Sequence, residues 1–257
     1  MTNRTPQAAI FDLDGVITFT ARVHAASWKE LFDDYLRKRA KQTGHTFIPF
    51  DELDYQRYVD GKPRMDGIAS FLASRKINIP LGSPSDPPGI RTAWALGNRK
   101  NELFREQLEQ KGVDVDEEAV RLVRELRGCG LLVGLASSSK NTPRILEKSN
   151  LAHLFGAVVD GNVSERLGLK GKPEPDIFLH CLEELNSSTS PHDAVLVEDA
   201  ISGVEAGRRG GFGLVIGVDR KGTGELGSHG ADWVVRGFEN VTADQVMDSF
   251  AAQIRAA

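Results

Sequence analysis

The stretch Ala8-Ala9-Ile10-Phe11-Asp12-Leu13-Asp14-Gly15 decides how this chain is read. Four apolar residues stop abruptly at an acid, the pattern of a buried strand opening into a polar turn. Two carboxylates two positions apart then stand at the carboxyl end of that strand, and they converge on one site if the chain stays extended. Working outward, Leu131 to Ala136, Ala157 to Val159, Ala194 to Val197, Gly213 to Val218 and Asp232 to Val235 are further short strand-like runs separated by helical segments. Strands alternating with helices predict an α/β fold, a Rossmann-like parallel sheet with helices on both faces.

The region just after the first strand breaks this alternation. Val23, Trp28, Leu31, Phe32, Tyr35 and Leu36 recur at helical spacing, predicting a helix from about Ala21 to Lys38, and Met65 to Leu72 continues the helical character. Four prolines and two glycines between Asn78 and Gly89 predict a loop, followed by a charged helix from Arg91 to Lys111. Residues 20–106 are therefore expected to form an inserted helical cap domain, with residues 1–19 and 107–257 as the core. The stretch Lys38 to Asp54 has no readable purpose.

In open parallel sheets ligands gather beyond the carboxyl ends of the strands. Three more such places carry chemistry here: Ser137-Ser138-Ser139-Lys140-Asn141, Lys172 in Gly171-Lys172-Pro173-Glu174, and Glu198-Asp199. Hydroxyls, backbone amides and a cation at a strand end suit a phosphate. With the two acids at Asp12 and Asp14 they compose an anion and metal site. Each piece has a plainer reading: the Asp pair as a turn or helix cap, the serines as a cap for a helix starting at Thr142-Pro143, Glu198 as a solvated acid.

Composition narrows the classes. With 257 residues and 40% hydrophobic content the chain can bury a real core. A formal net charge of -4, with Lys and Arg dispersed, offers no field for a nucleic acid. Two distant cysteines fit a reducing compartment, and scattered histidines give no zinc pattern. No long apolar segment suggests a signal peptide or membrane span, so a monomeric cytoplasmic protein acting on a small molecule is expected.

Taken in order, Asp-x-Asp-Gly-Val, strand-Ser, Lys-Pro and Glu-Asp resemble the four motifs of the haloacid dehalogenase-like superfamily over nearly the whole chain, and more narrowly the β-phosphoglucomutases. The resemblance implies phosphoryl transfer with Asp12 as nucleophile and Asp14 as general acid and base. Ser137 and Lys172 would hold the phosphoryl oxygens. It further implies Mg²⁺ at Asp12, Asp14 (through its carbonyl) and Asp199, with Glu198 nearby, and β-glucose 1,6-bisphosphate as phosphoryl donor and intermediate.

Substrate choice would then lie in the inserted region. The resemblance assigns a second phosphate clamp to Arg64 with Ser139, Lys140 and Asn141, beside the glycine turn at Gly61, and gives His24 and Lys100 a part in coupling cap closure to Asp14. Trp28, four residues after His24, is a binding candidate or simply core; Lys100 could equally be a solvated helix lysine. Two positions depart from the pattern: Phe19 where relatives often carry an acid, and Ala200 where a hydroxyl is frequent. The expected activity is interconversion of β-glucose 1-phosphate and glucose 6-phosphate. A magnesium-dependent sugar-phosphate phosphatase is the nearest alternative, and a noncatalytic sugar-phosphate sensor a remoter one.

Overall fold

The computed structural model describes residues 5–256. Strand β1 (Ala8–Phe11) is fully buried, as a strand covered on both faces must be. After Phe19 the chain enters a separate compact unit, Thr20 to Val113, and from Asp114 onward it rejoins the unit containing β1.

The inserted unit is helical. Helix α1 (Thr20–Thr43) buries Trp28, Leu31, Phe32, Tyr35 and Leu36 along one stripe. It outlasts the apolar pattern because Arg37 to Thr43 face solvent yet are mostly good helix formers. The chain then doubles back, and this explains the Lys38 to Asp54 stretch. Phe50 packs into the core against the paired rings of Phe32 and Phe71, at ring-centroid distances of 5.1 and 5.0 Å. Its backbone N–H donates to Asp33 (2.9 Å) and its carbonyl accepts from Lys29 (2.9 Å). Helix α2 (Glu52–Asp54) starts in a reciprocal capping box of Asp51 and Asp54, and a π-helical turn, Tyr55–Val59, follows. Helices α3 (Arg64–Ser74) and α4 (Ala93–Lys111) complete the unit. Because α4 runs unbroken to Lys111 and ends at Gly112, the second crossing falls after Val113, seven residues later than the expected boundary at 106.

The larger unit continues with α5 (Glu117–Gly128), β2 (Leu132–Ala136), α6 (Thr142–Ser149), β3 (Ala157–Val159), α7 (Gly161–Leu167), α8 (Asp176–Leu185), β4 (Ala194–Glu198), α9 (Ile201–Arg209), β5 (Leu214–Val218), α10 (Glu225–Ser228), β6 (Trp233–Val235) and α11 (Ala243–Ala256). Among the described residues six strands form one parallel sheet in the order β3-β2-β1-β4-β5-β6. Helices α8 and α9 pack on one face, α5 and α11 on the other. Phe11 pairs with Leu135 of β2 on one side and Val197 of β4 on the other. Asp12, Ala136-Ser137 and Glu198-Asp199 therefore leave the sheet side by side, at the point where the strand order reverses. No described helix is long and apolar enough to cross a membrane.

Candidate active site

Asp12 leaves β1 with its N–H on the Val197 carbonyl (3.0 Å), which fixes its Cα against β4. One carboxylate oxygen, Oδ2, accepts the Asp14 N–H (2.8 Å); the other, Oδ1, accepts Lys172 Nζ (2.7 Å). Lys172 comes from the loop before α8 and bridges Asp12 to Glu198. Its side chain is 1% exposed and that of Glu198 0%. The second Glu198 oxygen accepts the Ala200 N–H (2.7 Å). Both of its oxygens are thus engaged, and Glu198 stands as the lysine's partner, the indirect role expected for it beside the metal site.

Burial carries the Asp12 carboxyl up to about 8; Lys172 opposes the rise, and the charges of Glu198 and Asp14 add to it. Burial works against the Lys172 ammonium, yet the two adjoining carboxylates hold it above the ordinary lysine range. Three carboxyls and one ammonium therefore meet where the strands end.

Gly15 adopts φ +96°, and a Cβ there would overlap the Asp199 carboxylate. The turn after Asp14 thus needs glycine twice over, for its left-handed backbone and for close approach of Asp199. From β2, Ser137 Oγ donates to Asp14 Oδ2 (3.1 Å) and accepts the Ser139 N–H (3.1 Å). Ser139 Oγ accepts the Asn141 N–H (3.2 Å) just ahead of α6, and Thr142 donates back to the Ser139 carbonyl (2.9 Å). Lys140 is turned onto Glu165 of α7 at 2.5 Å, and Asn141 is buried.

The structure brings Asp12, Asp14, Ser137, Lys172 and Glu198 into one hydrogen-bonded cluster, with Asp199 against its turn. Its donors are oxygens, suited to a hard cation. Among the described residues no group of three or more His, Cys, Asp or Glu side chains is gathered as a cage. Mg²⁺ asks for less, one or two carboxylates with waters completing an octahedron, and the side chains of Asp12 and Asp199 with the Asp14 carbonyl fit that demand.

The inserted unit assembles its own polar cluster. Lys100, 4% exposed, lies 2.6 Å from His24 Nδ1 and between the rings of Trp28 (5.1 Å) and Phe104 (4.9 Å). An ammonium only donates, so Nδ1 accepts and the imidazole proton sits on Nε2. Lys100 is therefore no solvated helix lysine. Trp28, 3% exposed and stacked on Phe32, lies in the core of the helical unit, the plainer of its two readings. Arg64 opens α3 and donates to the Gly97 carbonyl of α4 (3.0 Å), one turn from Lys100. Gly61, at φ +70°, makes the bend that precedes it.

A family model described as haloacid dehalogenase-like hydrolase matches residues 6–211. The chain is 45% identical over 234 residues to a β-phosphoglucomutase of Mycobacterium tuberculosis, covering 89% of this chain and 88% of that one. It is 33% identical over 239 residues to a β-phosphoglucomutase of Bacillus subtilis, covering 93% and 92%. The chain belongs to the β-phosphoglucomutase family of the haloacid dehalogenase-like hydrolases. The crystal structure of a β-phosphoglucomutase from Clostridium difficile shares the fold, with a TM-score of 0.75 at 23% identity over 97% of this chain and 99% of that one.

As a member of the β-phosphoglucomutase family this enzyme makes its two departures legible. Ala200 lacks a hydroxyl but still supplies its N–H to Glu198. Phe19 lies under the Arg220 guanidinium, 4.6 Å from ring centroid to Cζ. Two supports were missed in the sequence. Asp160 and Asn162, after β3, hold the serine loop: Asp160 caps α7, Asn162 donates to the Lys140 carbonyl (3.1 Å), and Gly161 donates to that of Ser139 (3.2 Å). A Cβ on Gly161 would strike that loop's backbone. Arg220, after β5, is the other. Inspecting the residues beyond every strand would have found both.

Proposed function

We propose that this enzyme interconverts β-glucose 1-phosphate and glucose 6-phosphate through a phosphoaspartate on Asp12 and β-glucose 1,6-bisphosphate. The observation that carries the reading is the placement of Asp14: its backbone is anchored on the Asp12 carboxylate and its own carboxyl is held at Ser137, beside the buried Lys172. Its similarity to named β-phosphoglucomutases supports the choice of sugar phosphate.

Phosphoryl transfer asks the protein mainly to position groups and neutralise charge. Asp12 attacks phosphorus, and its carboxylate becomes an acyl phosphate, which splits one transfer into two. Ser137 and Lys172 hold the moving phosphoryl oxygens. Asp14 takes the proton of the accepting sugar hydroxyl and returns a proton to the departing sugar oxygen in the reverse half. Asp12, Asp199 and the Asp14 carbonyl would hold Mg²⁺, whose charge would lessen repulsion between carboxylate and phosphate dianion. The family resemblance assigns the second phosphate of the bisphosphate to Arg64 with Ser139, Lys140 and Asn141, and gives His24 and Lys100 a part in the placement of Asp14. Exclusion of water protects the acyl phosphate between the two transfers.

The test supplies β-glucose 1-phosphate and Mg²⁺, with and without a trace of the bisphosphate, and follows glucose 6-phosphate and free phosphate together. Glucose 6-phosphate forming faster than phosphate, with a requirement for the bisphosphate, supports the mutase. Stoichiometric phosphate release without glucose 6-phosphate makes the enzyme a phosphatase and overturns the proposal.

A further inference from the structure

The turn that carries Asp14 has more carbonyls than it can satisfy by itself. The Leu13 carbonyl takes the N–H groups of Ile17 and Thr18, that of Thr18 takes the Gly15 N–H, and that of Ile17 takes the Asp116 N–H. The carbonyls of Gly15 and Val16 are supplied from a distant part of the chain: Arg220 Nε donates to Gly15 (2.7 Å) and Nη2 to Val16 (3.1 Å). Buried carbonyls need such partners, and a planar guanidinium fixes two successive peptides relative to one another in a way a point charge does not. Nη2 also meets Asp116 Oδ2 (2.6 Å), whose other oxygen caps α5. The guanidinium face lies over Phe19 at 4.6 Å and, farther off, Phe238 at 5.8 Å. Arg220 thus grips the segment by which the chain leaves the larger unit and the segment by which it returns.

We propose that Arg220 is a positioning residue for phosphoryl transfer: through the Gly15 and Val16 carbonyls it sets where the Asp14 carboxyl stands, with Phe19 as the aromatic face that orients its guanidinium. Gly15 is joined directly to Asp14 and lies against Asp199, so a shift of this turn moves the acid and base while Ser137 and Lys172 stay in place. An aromatic ring at position 19 holds the guanidinium face, which an acid there would draw away from the carbonyls. The inference rests on the acid and base reading of Asp14.

The experiment compares the parent with Arg220→Met, Arg220→Lys and Phe19→Leu in two reactions. Sugar-phosphate turnover needs Asp14 to move a proton. Phosphorylation of Asp12 by acetyl phosphate does not, because acetate leaves without one. Arg220→Met is expected to lower kcat on β-glucose 1-phosphate by about 10- to 100-fold, the cost of a misplacement of about 1 Å, with KM little changed and the rate of labelling by acetyl phosphate lowered much less. Arg220→Lys should recover part of the loss, and Phe19→Leu should show the same split at smaller size. If Arg220→Met does not fold, Arg220→Lys and Phe19→Leu decide. Equal losses in both reactions, or a fall in melting temperature with kcat unchanged, overturn the inference. Failure of the parent itself in both reactions would instead count against the proposed function.

Discussion

Replacing Lys172 with Met is the sharpest probe of how the site is held. Met keeps the apolar stem against Phe178, over whose ring the ammonium now lies at 4.8 Å, so the chief loss is the charge. What remains is Asp12 and Glu198, two carboxyl groups with side chains 7% and 0% exposed, and no cation between them. Breaking a buried pair by removing one partner costs about 3–5 kcal/mol, because the orphaned charge stays desolvated. That is a large share of a total stability of about 5–15 kcal/mol. The loss should depend on pH. In the variant the Asp12 carboxyl, already raised by burial, loses the ammonium that opposes the rise, so its folded value lies further above the unfolded one. Stability is then retained below the ordinary carboxylate range and lost as pH rises through the raised value. Urea unfolding followed by circular dichroism in EDTA, at several pH values, reads this directly. The gap to the parent is expected to be widest near pH 8 and to shrink in acid. A variant within about 1 kcal/mol of the parent at pH 8 would refute the buried ion-pair description, since that is the range of an exposed pair.

Three other outcomes follow from the same structure. Asp14→Asn should lower kcat on the sugar phosphate by about 10²–10⁴-fold, the usual contribution of general acid and base help; turnover close to the parent's would remove Asp14 from that role. Phe50→Ala should destabilise the helical unit by about 3–5 kcal/mol in thermal or urea unfolding, because it removes a fully buried ring packed against Phe32 and Phe71; a neutral effect would mean that the Lys38 to Asp54 stretch is not part of the core. Of the two free cysteines, exposed Cys129 should react with a disulfide reagent in the native protein, whereas burial pushes the Cys181 thiol up to about 12 and shields it. Thiol titration is expected to count one before denaturant and two after.

The fold was legible where side-chain pattern and backbone demand coincide. Ala8 to Phe11 and Ala194 to Val197 are apolar runs too short for a buried helix and ended by acids, and each is a strand of the sheet. Helix ends were less legible because they depend on capping and on exposed residues, which leave no apolar trace. The last turns of α1 and the run of α4 through to Lys111 are of this kind. Asp12, Asp14, Ser137 and Lys172 could be picked out because each follows or precedes an element at the same edge of the sheet. Partnerships were a different matter. That Arg220 supports a turn 204 residues away in sequence depends on tertiary distances that residue order does not encode locally. Trp28 illustrates the converse, since a large aromatic at helical spacing looks alike whether it faces a ligand or a core.

The central claim is that Asp12 carries the phosphoryl group. The protein would be mixed with β-glucose 1,6-bisphosphate and Mg²⁺, quenched, digested under mildly acidic conditions and its peptides weighed. The account predicts one added phosphoryl group on the peptide containing Asp12, released by hydroxylamine as an acyl phosphate is and absent from Asp12→Asn. Turnover of the sugar phosphate by the parent with that peptide unmodified, and the group found elsewhere or nowhere, would contradict it.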